Sequence, residues 1–179
     1  MKNKKGMTLV ELIVGFALVG IFMASAVVVL SSSIHVFVRA NSLAHAQTVA
    51  DMLLETITSE LSSAADASFQ GSGEIMIVTD STVSFVDKNA YPVIMSAEDG
   101  RLVLSYQQVE TATGDVEEPV KWRYEEGTYL GTKISSLKFA HLNGNLIEVT
   151  MILTVEKSNQ DFEFSRIIQC YNLDDNAIK

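Results

Sequence analysis

Apolar side chains fill one unbroken block near the start of the chain, from Leu12 to Leu30, where only Gly15, Gly20 and Ser25 interrupt them and no side chain is charged. That length matches the roughly 20 helical residues needed to cross the hydrocarbon core of a bilayer. Farther on the apolar positions thin into a stripe: Leu43, Ala46, Ala50, Leu53, Leu54, Ile57, Leu61 and Ala64 recur mostly three and four apart. Such spacing puts them on one face of a helix, with Gln47, Asp51, Glu55, Thr58 and Ser62 opposite. No glycine lies between Gly20 and Gly71, and no proline precedes Pro92. The pattern therefore predicts a single helix from Met7 to about Ala64, apolar all round in its first half and amphipathic in its second.

After a loop of small and polar residues, Ala65 to Gly73, the period changes to two. Glu74–Thr79 and Thr82–Val86 flank Asp80-Ser81 as a hairpin, and Arg101–Gln107 and Lys121–Tyr124 read as further strands around the acidic segment Glu110–Glu118. Leu137–Leu142 leads into Asn143-Gly144, a strong hairpin signal. Ile147, Val149, Met151, Leu153 and Val155 then line one face of Leu146–Glu156, and Phe164, Ile168 and Cys170 alternate in Phe162–Tyr171. Three antiparallel strands in sequence form a meander whose apolar face can cover the helix stripe. The predicted class is α+β.

Charge narrows the possibilities. The chain has 13 Lys and Arg against 22 Asp and Glu, a net charge of −9. Lys2, Lys4 and Lys5 stand before the apolar block, and no cation follows it until Arg39, so the positive-inside tendency keeps the N-terminus in the cytoplasm and sends the remainder outside. The acidic body has no Lys/Arg cluster and makes a poor partner for nucleic acid, whose binding rests on phosphate neutralisation. The single cysteine, Cys170, rules out an intrachain disulfide and reads as buried core.

Two ordinary readings of the N-terminus leave something over. Ala24-Ser25-Ala26 offers a small-x-small cleavage site for a secretory signal, yet the apolar run continues through Val27–Leu30 beyond it. A plain signal anchor accounts for the length and the lysines but not for Glu11, a carboxylate at the edge of a spanning helix, where charge is costly.

Taken together, Lys4-Lys5-Gly6 followed by Met7-Thr8-Leu9-Val10-Glu11-Leu12-Ile13 resembles the processing site of type IV prepilins and pseudopilins. The resemblance covers about the first 25 residues; beyond them the likeness is one of layout. It implies a leader, residues 1–6, cut after Gly6 by a membrane aspartic peptidase, a mature N-terminus at Met7 that is N-methylated, and Glu11 as fifth residue of the mature chain. Phenylalanine is commoner than methionine at the new N-terminus, and the helix-kinking proline of many major pilins is missing, which favours a minor pilin or pseudopilin. The implied fold is the pilin fold: a long N-terminal helix packed against an antiparallel β-sheet that ends in a three-stranded meander. Residues 7–37 form the transmembrane or filament-core half of the helix, 38–66 the amphipathic half, and 67–179 the extracytoplasmic head. Implied partners are other pilin subunits through their N-terminal helices, the prepilin peptidase, an inner-membrane assembly platform, and membrane lipid before assembly. Glu11, with Thr8, is the implied assembly site, the glutamate meeting the free amine of a neighbouring subunit. On that basis the protein sits beneath another subunit, not at a filament tip.

Chemistry is sparse. His35, His45 and His141 are isolated, Asp174-Asp175-Asn176 lacks the spacing of a calcium loop, and the pair Asp51 and Glu55 has no implied pocket. No enzyme activity, metal or cofactor is expected. Open alternatives are a pseudopilin of a type II secretion or DNA-uptake machine, a membrane-anchored binding domain that never polymerises, and an adhesin head, which would need a ligand pocket that the sequence does not reveal.

Overall fold

A computed structural model describes residues 7–68, 75–107, 119–173 and 177–179. Gly6, most of the predicted exit loop, the acidic segment after Gln107 and the Asp174-Asp175-Asn176 triplet lie outside the described residues. The chain divides into two compact units, Met1–Asn41 and Ser42–Lys179. Helix α1, Leu9–Ser62, contributes to both.

Among the described residues of the first unit every large apolar side chain is exposed, including Phe16, Leu18, Phe22, Val29 and Phe37. The segment meets the length and composition needed to cross a membrane, and none of its most apolar window is buried. The hydroxyls of Ser25, Ser32 and Ser33 bond back to carbonyls of the same helix. Ser25 donates to the Phe22 carbonyl at 2.7 Å and Ser33 to that of Val29 at 2.9 Å, as an environment without water requires.

The second unit is built on the stripe. Ala46, Val49, Ala50, Leu53, Leu54, Ile57 and Leu61 are buried, together with Ser42. Two details differ from the sequence reading. Leu43 is exposed, while Val49 is buried, since it stands three residues after Ala46 and four before Leu53 and so shares their face. The helix ends at Ser62, and Ala64, though buried, is past its end.

Eight strands follow: β1 Ile77–Val78, β2 Thr82–Val86, β3 Pro92–Glu98, β4 Arg101–Tyr106, β5 Val120–Arg123, β6 Thr132–His141, β7 Leu146–Val155 and β8 Gln160–Gln169. They form two antiparallel sheets, β1-β2-β3-β4-β5 and β6-β7-β8. The meander is the second of these, and from Ser42 onward the helix packs against both. Val83, Phe85, Val93, Met95, Leu102 and Leu104 from one sheet share a core with Ile147, Val149, Met151 and Leu153 from the other. The sheets are stitched directly: the Ile134 amide donates to the Gly100 carbonyl at 2.8 Å, and the Phe139 amide to that of Asp80 at 3.2 Å.

Strand β6 shows how a broken pattern is reconciled. Thr132 and Ile134 face inward at even positions, Leu137 and Phe139 at odd ones. A bulge between Ile134 and Ser136 absorbs the change of phase. Without it, one half of the strand would turn its apolar residues to solvent.

Strand β3 has no counterpart in the sequence reading. It opens on Pro92, the first position of a strand, where proline removes no ladder hydrogen bond. It turns into β4 through Asp99-Gly100, with φ of 51° and 74°. Positive φ at both central residues is the turn that matches strand twist, and Asp-Gly is a preferred pair for it. Gly100 is also closely approached: a Cβ there would lie 3.0 Å from Lys133 Cβ, tighter than ordinary contact. On the far edge, β1 is covered by the last residues, with Met76 bridging Ile178 in parallel.

Candidate functional site at the start of the long helix

A helix leaves its first four amides without intrahelical partners. Here Thr8 and Glu11 supply partners for two of them. The Thr8 amide donates to Glu11 Oε2 at 2.9 Å, and the Thr8 hydroxyl donates to the same oxygen at 3.1 Å. In return the Glu11 amide donates to Thr8 Oγ1 at 3.3 Å. The reciprocal arrangement of a threonine before the helix and a glutamate three residues on is a capping box. The carboxylate also stands where the helix dipole favours negative charge.

This changes the standing of Glu11. The sequence reading left it without a role in a simple anchor and gave it a partner in another subunit. The structure gives it a partner in its own chain, so its presence alone does not require a subunit above it, and the inference that the protein lies below a filament tip does not follow from it. The signal was legible as threonine, two residues, glutamate ahead of an apolar run. Thr8, named with Glu11 as an assembly residue, is half of the box. Met7 is exposed beside it, and Gly6 is outside the described residues.

The remaining chemistry is dispersed. Among the described residues no group of three or more His, Cys, Asp and Glu side chains is placed to hold a metal. His141 Nε2 lies 2.8 Å from the Gly144 carbonyl, bracing the β6–β7 turn. Asp51 and Glu55 flank Arg166 of β8 at 3.9 and 3.4 Å, both carboxylates largely exposed, an arrangement worth little in stability. Cys170 is buried, and desolvation pushes its thiol up to about 11, which keeps it protonated and unreactive.

What the two ends of the geometry define is an α+β protein whose apolar, capped N-terminal helix carries a β-rich unit. Residues 1–27 match the prokaryotic N-terminal methylation motif. The chain thus carries the type IV prepilin-like signal, and its long apolar helix fits a single-pass membrane anchor. No curated protein matches the chain.

Proposed function

We propose that this protein is a structural subunit, a minor pilin or pseudopilin, of a type IV pilus or related filament, and not an enzyme. The observation that carries the reading is the methylation motif, residues 1–27, which runs into an exposed apolar helix. Cleavage after Gly6 removes Lys2, Lys4 and Lys5 but leaves that helix whole, so the processed subunit stays in the membrane. A glycine before the cut lets a protease approach the backbone closely. The N-terminus faces the cytoplasm, where the peptidase and the assembly platform act, and the head lies outside.

In assembly, the helices of neighbouring subunits replace lipid around Leu9–Ala40. Glu11 exchanges part of its capping box for the free, methylated amine of Met7 on another subunit. An opposite charge in a low-dielectric bundle attracts strongly, while desolvation offsets much of the gain, so the pair sets register more than it adds stability. No direct binding of nucleic acid by the acidic head is part of this reading.

The test is Glu11→Ala in a strain lacking the native gene, with membrane level, N-terminus and filament content measured together. The reading expects normal membrane insertion and cleavage after Gly6, but loss from sheared filaments or from secretion output. Normal incorporation of the variant would refute the assembly role.

A further inference from the structure

Between the amphipathic half of α1 and the β4–β5 edge of the first sheet lies an open cleft of about 560 Å³. Its sheet side is aromatic. Trp122 and Tyr124, two apart on β5 and just beyond it, share a face, their ring centroids 4.7 Å apart in an edge-to-face pair, and Tyr106 of β4 completes the lining. The helix side carries Met52, Thr56 and Glu60 at four-residue spacing, with Glu55 and Ser59 beside them. The Tyr124 hydroxyl is 2.9 Å from Thr56 Oγ1, while Thr56 donates its own proton to the Met52 carbonyl. Tyr124 is therefore the donor to Thr56, which fixes that ring against the helix.

Two carboxylates and no basic side chain are among the described residues that line the cleft; Arg166 holds Glu55 from outside it at 3.4 Å, and Lys88 acts on Glu60 less than burial and Asp87 do. Lys121 and Arg123 alternate onto the opposite face of β5, and Lys121 is engaged with Glu98 at 2.6 Å. An anion would be repelled here. A neutral apolar ligand would offer the Glu60 carboxylate no partner. Aromatic faces attract cations through their quadrupole, and the Glu60 carboxylate adds a direct electrostatic partner. The cleft thus combines three rings, one of them pinned by a hydrogen bond, with carboxylates on the facing wall.

We propose that this cleft is a binding site for an alkylammonium group, with the hydrocarbon part against Trp122, Tyr106 and Met52 and the charged end towards Glu60. The inference does not rest on the reading of the N-terminus, since every residue in it belongs to Ser42–Lys179. Two sources share the chemistry, a choline-type trimethylammonium and the primary ammonium of a lysine side chain. They differ in what they demand: the first has no N–H and relies on the rings, the second needs the Glu60 carboxylate as acceptor.

Trp122 is the only tryptophan in the chain, so intrinsic fluorescence reports on this site alone. The experiment uses the full chain in a maltoside detergent, titrated with choline and, separately, with n-butylammonium. The neutral isostere 3,3-dimethylbutan-1-ol and n-pentanol serve as controls at equal ionic strength. The expected result is a saturable change in Trp122 emission with at least one cation, at a dissociation constant on the order of 1 mM, and none with its neutral counterpart. Tighter binding of choline assigns the trimethylammonium source; tighter binding of n-butylammonium assigns the lysine-like one. Glu60→Gln, of nearly the same shape, should weaken cation binding about fivefold or more without lowering the unfolding temperature. The proposal is overturned if neither cation saturates, if the neutral controls bind equally well, or if Glu60→Gln binds the cation as tightly as the unaltered protein.

Discussion

The two parts of the long helix differ in how their apolar side chains are arranged and in what covers them. Between Leu9 and Ala40 the large apolar side chains are exposed on every side. Between Ser42 and Ser62 the apolar residues narrow to a stripe, and Leu53, Ile57 and Leu61 are fully buried by the two sheets. An apolar helix surface is stable only where something removes it from water. In the second part the protein supplies the cover itself; in the first, the cover must come from lipid or from other helices. Folding of the head and placement of the helix start are thus separate problems, written in separate stretches of one continuous helix.

The largest effect expected from that division is on truncated chains. A chain starting at Ala40 keeps the whole stripe and should unfold cooperatively as a soluble monomer. A chain starting at residue 69 exposes the sheet surfaces that α1 covers and should aggregate or lose fixed packing. Equal, cooperative melting of the two, followed by circular dichroism, would mean that the stripe is not part of the core.

Single leucines sharpen the same comparison. Leu53→Ala should cost about 2–5 kcal/mol of head stability in denaturant unfolding, the range for cavities in a packed core. Leu18→Ala removes the same atoms from an exposed position and should leave the head's unfolding midpoint unchanged.

A smaller cost falls on the joint between the sheets. Gly100 has φ +74°, and a Cβ there would crowd Lys133 at 3.0 Å, so Gly100→Ala should destabilise the head by about 1–3 kcal/mol, read as a lowered melting temperature. The same change at Gly20, where nothing lies within 4 Å, should not affect the head at all.

The smallest effect is a pH dependence at the edge of the cleft. Partial burial first, then the nearby Asp87 carboxylate, raises the Glu60 pKa, with Lys88 opposing. A carboxyl raised on folding is more protonated in the native state, so its contribution to stability is lost as pH rises through the interval between its unfolded and folded values. Glu60→Gln should therefore match the unaltered protein below that interval and melt slightly higher above it, at pH 7. A lower melting temperature for the variant at pH 7 would contradict the assignment of burial as the main cause.

Much of this was legible in the sequence because long periodic signals dominate local detail. The apolar block, the stripe and the alternation in β7 are each set by one repeating requirement, and the meander and the helix follow from them. What was missed had local or non-local causes. Strand β3 was hidden by Pro92 at its first position, although Asp99-Gly100 at its end was a readable turn. The bulge at Ser135 disguised β6 by shifting its phase midway. The Thr8–Glu11 box was readable too, but membrane cost drew attention to the charge of Glu11 and away from its reach to the first amides. The aromatic cleft was not readable at all, since Glu60 and Trp122 are brought together only by the packing of α1 beside β5.

The central claim is that the first six residues are a leader and that the apolar helix survives their removal. Intact-mass and N-terminal peptide spectrometry of the protein from membranes of a host with a prepilin peptidase tests it most directly. The account predicts a chain that begins at Met7 and carries an added methyl on its amine, with Leu12–Leu30 still present. A chain beginning at Val27, after Ala24-Ser25-Ala26, or one retaining Met1 through Gly6, would contradict it.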